Sequence, residues 1–133
     1  VPLVDEAGLA GRAERLLMDF AQAGDRVAPA DIVVLNRVIC CYPDMPALVK
    51  AAAERTRAYL AIVIPRERWW VAMGLAVINT VFWLMRIDFR VFLHSPERIL
   101  AVAREHGLAP VATDHDLIWQ LTVLDRAQPP LKA

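Results

Sequence analysis

The stretch that decides the fold is residues 30–44, which read ADIVVLNRVICCYPD. Its apolar, β-branched run ends at Asn36, a pattern typical of a buried strand covered on both faces. The pair Pro43–Asp44 then predicts the start of a helix. Because open α/β sheets bind ligands at the carboxyl ends of their strands, this order predicts a functional loop from Asn36 to Tyr42.

Composition limits the classes of protein that this chain can represent. A length of 133 residues predicts one domain. The formal net charge is zero, so the chain does not have the excess of basic residues that is typical of nucleic-acid-binding proteins. The apolar share of 57% exceeds the ~45–50% of average soluble domains. The two adjacent cysteines form neither a zinc spacing nor a disulfide framework, and no secretory signal opens the chain. The default expectation is therefore a reducing cytoplasm and no nucleic-acid partner.

Periodicity outside the central stretch predicts an α/β sheet fold with parallel strands, crossover helices and a C-terminal antiparallel hairpin. The predicted parallel strands are Leu16–Phe20, Ile32–Leu35 and Tyr59–Ile64, and the predicted hairpin is Val111–Leu124. Helices are predicted at Pro46–Arg57, at Trp69–Met85 and after the N-cap Ser95. The helix between the second and third strands is the crossover that a parallel pair requires.

The central stretch resembles the fourth-strand region of class I S-adenosylmethionine-dependent methyltransferases. That region has an acidic residue, here Asp31, then an apolar run, Asn36, and a short loop that ends in Pro43–Asp44. The resemblance implies a partial Rossmann-like methyltransferase fold over nearly the whole chain. It also implies S-adenosylmethionine as the cofactor and a small molecule as the methyl acceptor, with no metal.

The resemblance implies a set of cofactor-binding residues. The third strand of the family ends in a pair that corresponds to Asp19 and Phe20, whose carboxylate and ring are expected beside the adenine. Asn36, Arg37 and Val38 are expected near the rest of the cofactor. The alternatives are a solvated Asp19 at a strand end, and a polar strand terminator at Asn36 with Arg37 paired to a nearby acid.

Two parts of the family pattern are missing. The five glycines never form the Gly-x-Gly-x-Gly loop of the first strand, and the acidic residue that holds the ribose has no counterpart. The expectation is therefore a single methyltransferase-like domain over residues 1–133 that lacks the N-terminal cofactor-binding strands. Such a fragment is expected to bind the cofactor weakly by itself.

The predicted acceptor site follows from the loop and from later aromatic residues. Tyr42 is the predicted catalytic residue, because a phenol can orient or deprotonate a nucleophile. The predicted substrate-binding residues are Cys41, Tyr42, Trp69, Trp70 and His94. For the two cysteines the alternative is plain burial, and for His94 it is a place in a capping loop. A metal site at residues 114–116 is not expected, because strand alternation sends His115 and its flanking aspartates to opposite faces.

The segment Trp69–Met85 has no charged side chain. As a helix it is about 25 Å long, slightly short of the ~30 Å hydrocarbon core of a bilayer. Three roles are open: a wall or lid of the substrate pocket, a dimer or core surface, and membrane contact. The predicted function is methyl transfer to an apolar or aromatic small molecule. The alternatives are a non-catalytic module that forms homodimers through residues 69–85, and a domain that contacts a membrane through them.

Overall fold

The computed structural model describes residues 2–126. Its helices are α1 Pro2–Glu6, α2 Phe20–Ala23, α3 Met45–Arg55, α4 Trp69–Leu84 and α5 Pro96–Glu105. Its strands are β1 Ala30–Asn36, β2 Thr56–Pro65, β3 Leu108–His115 and β4 Trp119–Arg126. Short 3-10 turns lie at Ala10–Arg12, Gly24–Arg26 and Ile39–Cys41.

The strands form one mixed sheet in the order β1-β2-β4-β3. Strands β1 and β2 are parallel neighbours, with Leu35 opposite Ile62, and α3 connects them. Strand β4 pairs antiparallel with both β2 and β3. At the turn of the β3–β4 hairpin, the Asp116 carboxylate accepts the backbone N–H groups of Ile118 and Trp119. The predicted α/β class, parallel pair, crossover helix and closing hairpin are confirmed.

Helices α3 and α5 pack against each other and cover one face of the sheet. The Asp44 carboxylate accepts the N–H of Ala47 and so caps α3. The covered face is the apolar core of the fold. Its fully buried side chains include Val49, Leu60, Ile62, Ile99 and Leu124.

The opposite face of the sheet is open. Because strand side chains alternate, the neighbours of the core residues point to this face. Ile32 and Val34 of β1 are 62% and 58% exposed, and Tyr59 and Leu121 are exposed beside them. The expectation that β1 is covered on both faces is therefore wrong for the described residues.

The predicted strand Leu16–Phe20 is also wrong. Residues 13–18 form no helix or strand, and Phe20 begins α2. The Asp19 carboxylate accepts the N–H of Ala21, so a helix cap forms where a strand end was expected. The exposed Leu16 and Leu17 make an apolar pattern that resembles a strand, but within residues 2–126 this segment pairs with none of the four strands.

Helix α4 confirms the predicted helix over residues 69–85 to within one residue. One side, which contains Val71, Leu75 and Phe82, is buried or half-buried, whereas Met73 and Trp83 on the other side are exposed. Within residues 2–126, no helix has both the length and the apolar character that crossing a membrane requires.

Candidate functional site

The loop after β1 turns sharply at Arg37. Its backbone has a φ of 59°, in the left-handed region that non-glycine residues rarely adopt. The N–H of Arg37 donates to the carbonyl of Val63 on the neighbouring strand at 3.1 Å. The carbonyl of Val38, whose side chain is exposed, then accepts the N–H of Cys41 within the 3-10 turn. The loop therefore leaves the sheet at the carboxyl end of β1, where the site was predicted.

Asp19 and Tyr42 meet at this loop. The Tyr42 hydroxyl lies 3.0 Å from each oxygen of the Asp19 carboxylate. Desolvation and then the hydrogen bond to Asp19 raise the pKa of the Tyr42 phenol above its ordinary value. The phenol is thus protonated and donates to Asp19. In this state Tyr42 is poorly suited to remove a proton from a nucleophile. The structure brings these two predicted site residues together by a contact that the sequence did not predict.

His94 joins this pair from a later part of the chain. Its Nε2 lies 2.9 Å from the backbone carbonyl of Tyr42, and its ring stacks on Phe92 with centroids 5.8 Å apart. A carbonyl only accepts, so Nε2 carries the proton in this contact. In the neutral imidazole, the lone pair of Nδ1 is then free for another donor. His94 thus lies beside the loop after β1, and its predicted role in substrate binding stays a prediction.

The segment that precedes His94, residues 86–94, is called here the return segment, because it folds back from α4 to the loop. The Phe92 N–H donates to the Cys40 carbonyl at 2.5 Å. The Asn79 side-chain amide makes two hydrogen bonds to the backbone of Val91, at 2.8 and 2.9 Å. Asn79 is one of only two clearly polar residues in the apolar segment Trp69–Met85. Its polarity there was the feature of the sequence that could have indicated this contact.

The two cysteines have different environments. Cys40 is buried, and burial followed by the hydrogen bond between its thiol and Cys41 raises the pKa of the Cys40 thiol to about 11. Cys41 is exposed, and its Sγ lies 3.7 Å from that of Cys40. The burial alternative therefore describes Cys40, whereas Cys41 remains available at the surface of the loop.

Asn36 and Arg37 face a different cavity. It has a volume of about 300 Å³, and its lining includes neither Asp19 nor Tyr42. There the Arg37 guanidinium lies 4.5 Å from the ring centroid of Trp119. Backbone N–H groups, and to a smaller extent Arg37, lower the pKa of Asp116. The predicted cofactor residues are thus divided between the contact of Asp19 with Tyr42 and the cavity beside Asn36 and Arg37. The charge of Arg37 acts on Asp116, in agreement with the alternative that Arg37 lies near an acid.

A large cavity lies between α4 and the return segment. It measures about 660 Å³. Its lining residues are Ala76, Asn79, Thr80, Trp83, Ile87, Asp88, Phe89 and Arg90. Trp69 and Trp70, which were predicted to line the substrate pocket, do not line it. They contact each other edge to face at the start of α4.

Metal-ligating groups are not clustered in the part of the chain that the structure describes. Asp114 accepts the N–H of His115, and Asp116 accepts two N–H groups of the hairpin turn. The Asp116 carboxylate therefore stabilises the hairpin turn.

The fold is similar to that of several solved methyltransferases. An O-methyltransferase family protein from Burkholderia thailandensis superposes with a TM-score of 0.71 at 19% identity over 95% of this chain. The magnesium protoporphyrin IX methyltransferase of Synechocystis PCC 6803 with bound SAH superposes with a TM-score of 0.62 at 17% sequence identity over 83% of this chain. An O-methyltransferase from neocarzinostatin biosynthesis, in complex with SAH and 1,4-dihydroxy-2-naphthoic acid, superposes with a TM-score of 0.63 at 18% sequence identity over 95% of this chain.

These likenesses show that the chain has a class I methyltransferase fold. The chain spans 39%, 49% and 38%, respectively, of those three structures. No protein-family model matches the chain, and a search of the curated proteins gives no match.

Proposed function

We propose that this chain carries part of the active site of an S-adenosylmethionine-dependent methyltransferase that acts on an apolar or aromatic small molecule. One observation carries the proposal. Asp19, Tyr42 and His94 converge on the loop at the carboxyl end of β1, within a methyltransferase fold. Open α/β sheets bind their ligands at this end of their strands.

The described residues fit the adenine end of the cofactor. A carboxylate offers about four lone-pair sites, and the Ala21 N–H and the shared Tyr42 hydroxyl leave one of them on Asp19 open for an amine donor. When it is bound, S-adenosylmethionine supplies an electrophilic methyl group. The structures solved with SAM or SAH support this choice of cofactor.

The cavity between α4 and the return segment suits the methyl acceptor. Trp83, Ile87 and Phe89 give it apolar walls, and Asp88 and Arg90 add polar groups that orient a ligand. A neighbour that holds a naphthoic acid supports an aromatic acceptor. Methyl transfer depends mainly on holding the reactants in line, in a site that excludes water.

His94 is the better base of the two candidates. His94 does not line this cavity but ends the return segment that forms one wall of it. Its Nε2 is engaged with the Tyr42 carbonyl, so the Nδ1 lone pair is the one that would accept a proton from an acceptor that reaches His94. Tyr42 is then a positioning residue, which holds the Asp19 carboxylate in place. This division of roles differs from the prediction that Tyr42 itself is catalytic.

We propose further that residues outside these 133 hold the ribose and methionine parts of the cofactor. The open face of the sheet and the free edge of β1 support this, because parallel strands are normally covered on both faces. Ile32 and Val34 are the side chains that an added layer would bury.

Calorimetry with S-adenosylhomocysteine tests the proposal. The 133-residue chain is expected to bind it weakly, and Asp19→Asn, which keeps a helix cap, is expected to weaken binding further. Asp25→Asn is the matched control at an exposed carboxylate in the next turn. Submicromolar binding by the chain alone would contradict the divided site. Equal effects of the two variants would contradict the role of Asp19.

Activity of the proposed longer protein, in which residues outside these 133 complete the cofactor site, tests the base. His94→Gln is expected to lower kcat by about 10²-fold or more while cofactor affinity changes little, since general bases contribute ~10²–10⁴-fold. Tyr42→Phe is expected to weaken cofactor binding instead. The reverse pattern would assign the base to Tyr42.

A further inference from the structure

Helix α4 exposes an apolar surface along most of its length. We define the α4 surface as the outward side chains Met73, Val77, Val81 and Leu84, together with Trp69 and Trp83 near its ends; all of them are exposed, and Trp83 also lines the large cavity. Trp69 and Trp83 are 71% and 75% exposed. Contiguous exposed apolar patches of this kind mark interaction sites on soluble proteins.

The α4 surface is held in place by the fold. The helix ends in a Schellman turn, with the Ile87 N–H donating to the Phe82 carbonyl and Arg86 in the left-handed region at a φ of 55°. Phe82 packs edge to face on Phe89 at 5.8 Å, and Asn79 holds the backbone of Val91. These contacts bind the inner side of α4 to the return segment and leave its outer side uncovered.

Positive charge lies at both ends of α4. Arg66 and Arg68 precede it with one acid between them, and Arg86 and Arg90 follow it in the same arrangement. Along the sequence, each flank of α4 thus has one more cation than anions; in the fold, Arg66 also donates to the backbone carbonyl of Asp116. The Arg68 guanidinium lies 5.9 Å from the ring centroid of Trp70. Tryptophan and arginine side chains at the borders of an apolar surface suit the interface between lipid and water.

These charges distinguish between two occupants. In a two-fold symmetric dimer through α4, an antiparallel crossing sets Arg68 against Arg86 of the other copy, and a parallel crossing sets each end against itself. Both crossings bring net positive ends together. An anionic bilayer instead attracts both ends and buries the apolar side chains between them.

We propose that α4 lies flat in the headgroup region of an anionic lipid bilayer. The helix has 16 residues and is about 24 Å long, which suits a helix that lies along the surface. The proposal is independent of methyl transfer, since none of its readouts requires the cofactor or the acceptor.

Vesicle flotation tests the proposal with the 133-residue chain. We expect binding to vesicles of phosphatidylglycerol and phosphatidylcholine, weaker binding to phosphatidylcholine alone, and release by salt. Bromine-labelled lipids are expected to quench the tryptophan fluorescence, because three of the four tryptophans lie in α4.

Two double variants separate the apolar and the charge contributions. Met73→Gln with Val77→Gln avoids the lining of the large cavity and keeps good helix formers, and it is expected to abolish flotation. Arg68→Gln with Arg86→Asn, where Asn tolerates the left-handed backbone, is expected to weaken binding about 30-fold. Circular dichroism checks that each variant is folded.

The matched control is Ile32→Gln with Val34→Gln, which removes equally exposed apolar side chains from the open sheet face. It is expected to leave flotation unchanged. Loss of flotation in this control, or equal binding to neutral and anionic vesicles, overturns the proposal. A second result also overturns the proposal: the chain does not bind vesicles, light scattering shows a dimer, and the Met73→Gln with Val77→Gln variant is a monomer. In that case a second copy of the chain covers α4.

Discussion

The two faces of the same sheet differ in burial. Leu60 points to the face that α3 and α5 cover and is fully buried, whereas Val34, on the strand beside it, points to the open face and is mostly exposed. Both are apolar residues in strands with the same kind of sequence. Burial in this sheet therefore depends on which helices lie against each face, and the stability of the chain comes mainly from one face.

The largest expected effect tests that difference directly. Leu60→Ala is expected to lower the free energy of unfolding by about 3 kcal/mol, because it leaves a cavity in the covered core. Val34→Ala is expected to lower it by about 0.5 kcal/mol or less. Urea denaturation measures both. If Leu60→Ala does not fold, Ile62→Val, expected to cost about 1 kcal/mol, replaces it. Equal losses at Val34 and at the core position would mean that something already covers the open face.

A second effect concerns the side chain that joins the helices to the covered face. The Arg126 guanidinium donates to the carbonyls of Thr56, His106 and Ala53, at the ends of β2, α5 and α3. Arg126→Met is expected to lower the free energy of unfolding by about 2 kcal/mol, since hydrogen bonds from charged groups are worth ~1.5–3 kcal/mol.

The control for that variant is Arg57→Met. The Arg57 guanidinium lies 3.9 Å from Asp31, and both side chains are exposed. Exposed ion pairs contribute little, so thermal unfolding is expected to show almost no change. A similar loss in both arginine variants would show that charge alone, and not the three carbonyl contacts, explains the effect of Arg126.

The contrast between covered and open positions recurs in two adjacent residues. Burial raises the pKa of Cys40 from 9.0 to about 11, whereas Cys41 is exposed. A thiol reagent at pH 8 is expected to modify Cys41 first and Cys40 only on unfolding. Because the unfolded chain releases the Cys40 proton first, stability falls as the pH rises from about 9 to about 11. Cys40→Ala is expected to reduce that fall. Rapid labelling of Cys40 in a Cys41→Ser variant would contradict its burial.

The smallest expected effect is spectroscopic. Because desolvation and Asp19 raise the pKa of Tyr42, one of the two tyrosines is expected to ionise above its usual range in an absorbance titration. That component is expected to disappear in Tyr42→Phe and to move down in Asp19→Asn. An unchanged titration in Asp19→Asn would show that the contact between the hydroxyl and the carboxylate does not persist in solution.

Local patterns in the sequence were sufficient for much of the fold. The β-branched run of β1, the apolar run of β2 and the Asp44 cap of α3 each determine one element, and a helix between two buried strands requires a parallel pair. The same reasoning failed at Leu16–Phe20. There, in the part of the chain that the structure describes, the apolar segment pairs with no strand, and Asp19 caps a helix instead.

The sequence by itself determined the type and order of the main elements, because strand and helix periodicity and caps act over a few neighbouring residues. Only the tertiary structure decided the site, because its contacts join distant positions. Tyr42 meets Asp19 across 23 residues and His94 across 52. The packing of the return segment on the loop determines which atoms come within hydrogen-bond distance. Tertiary packing likewise decided that one face of the sheet became the core and the other remained exposed.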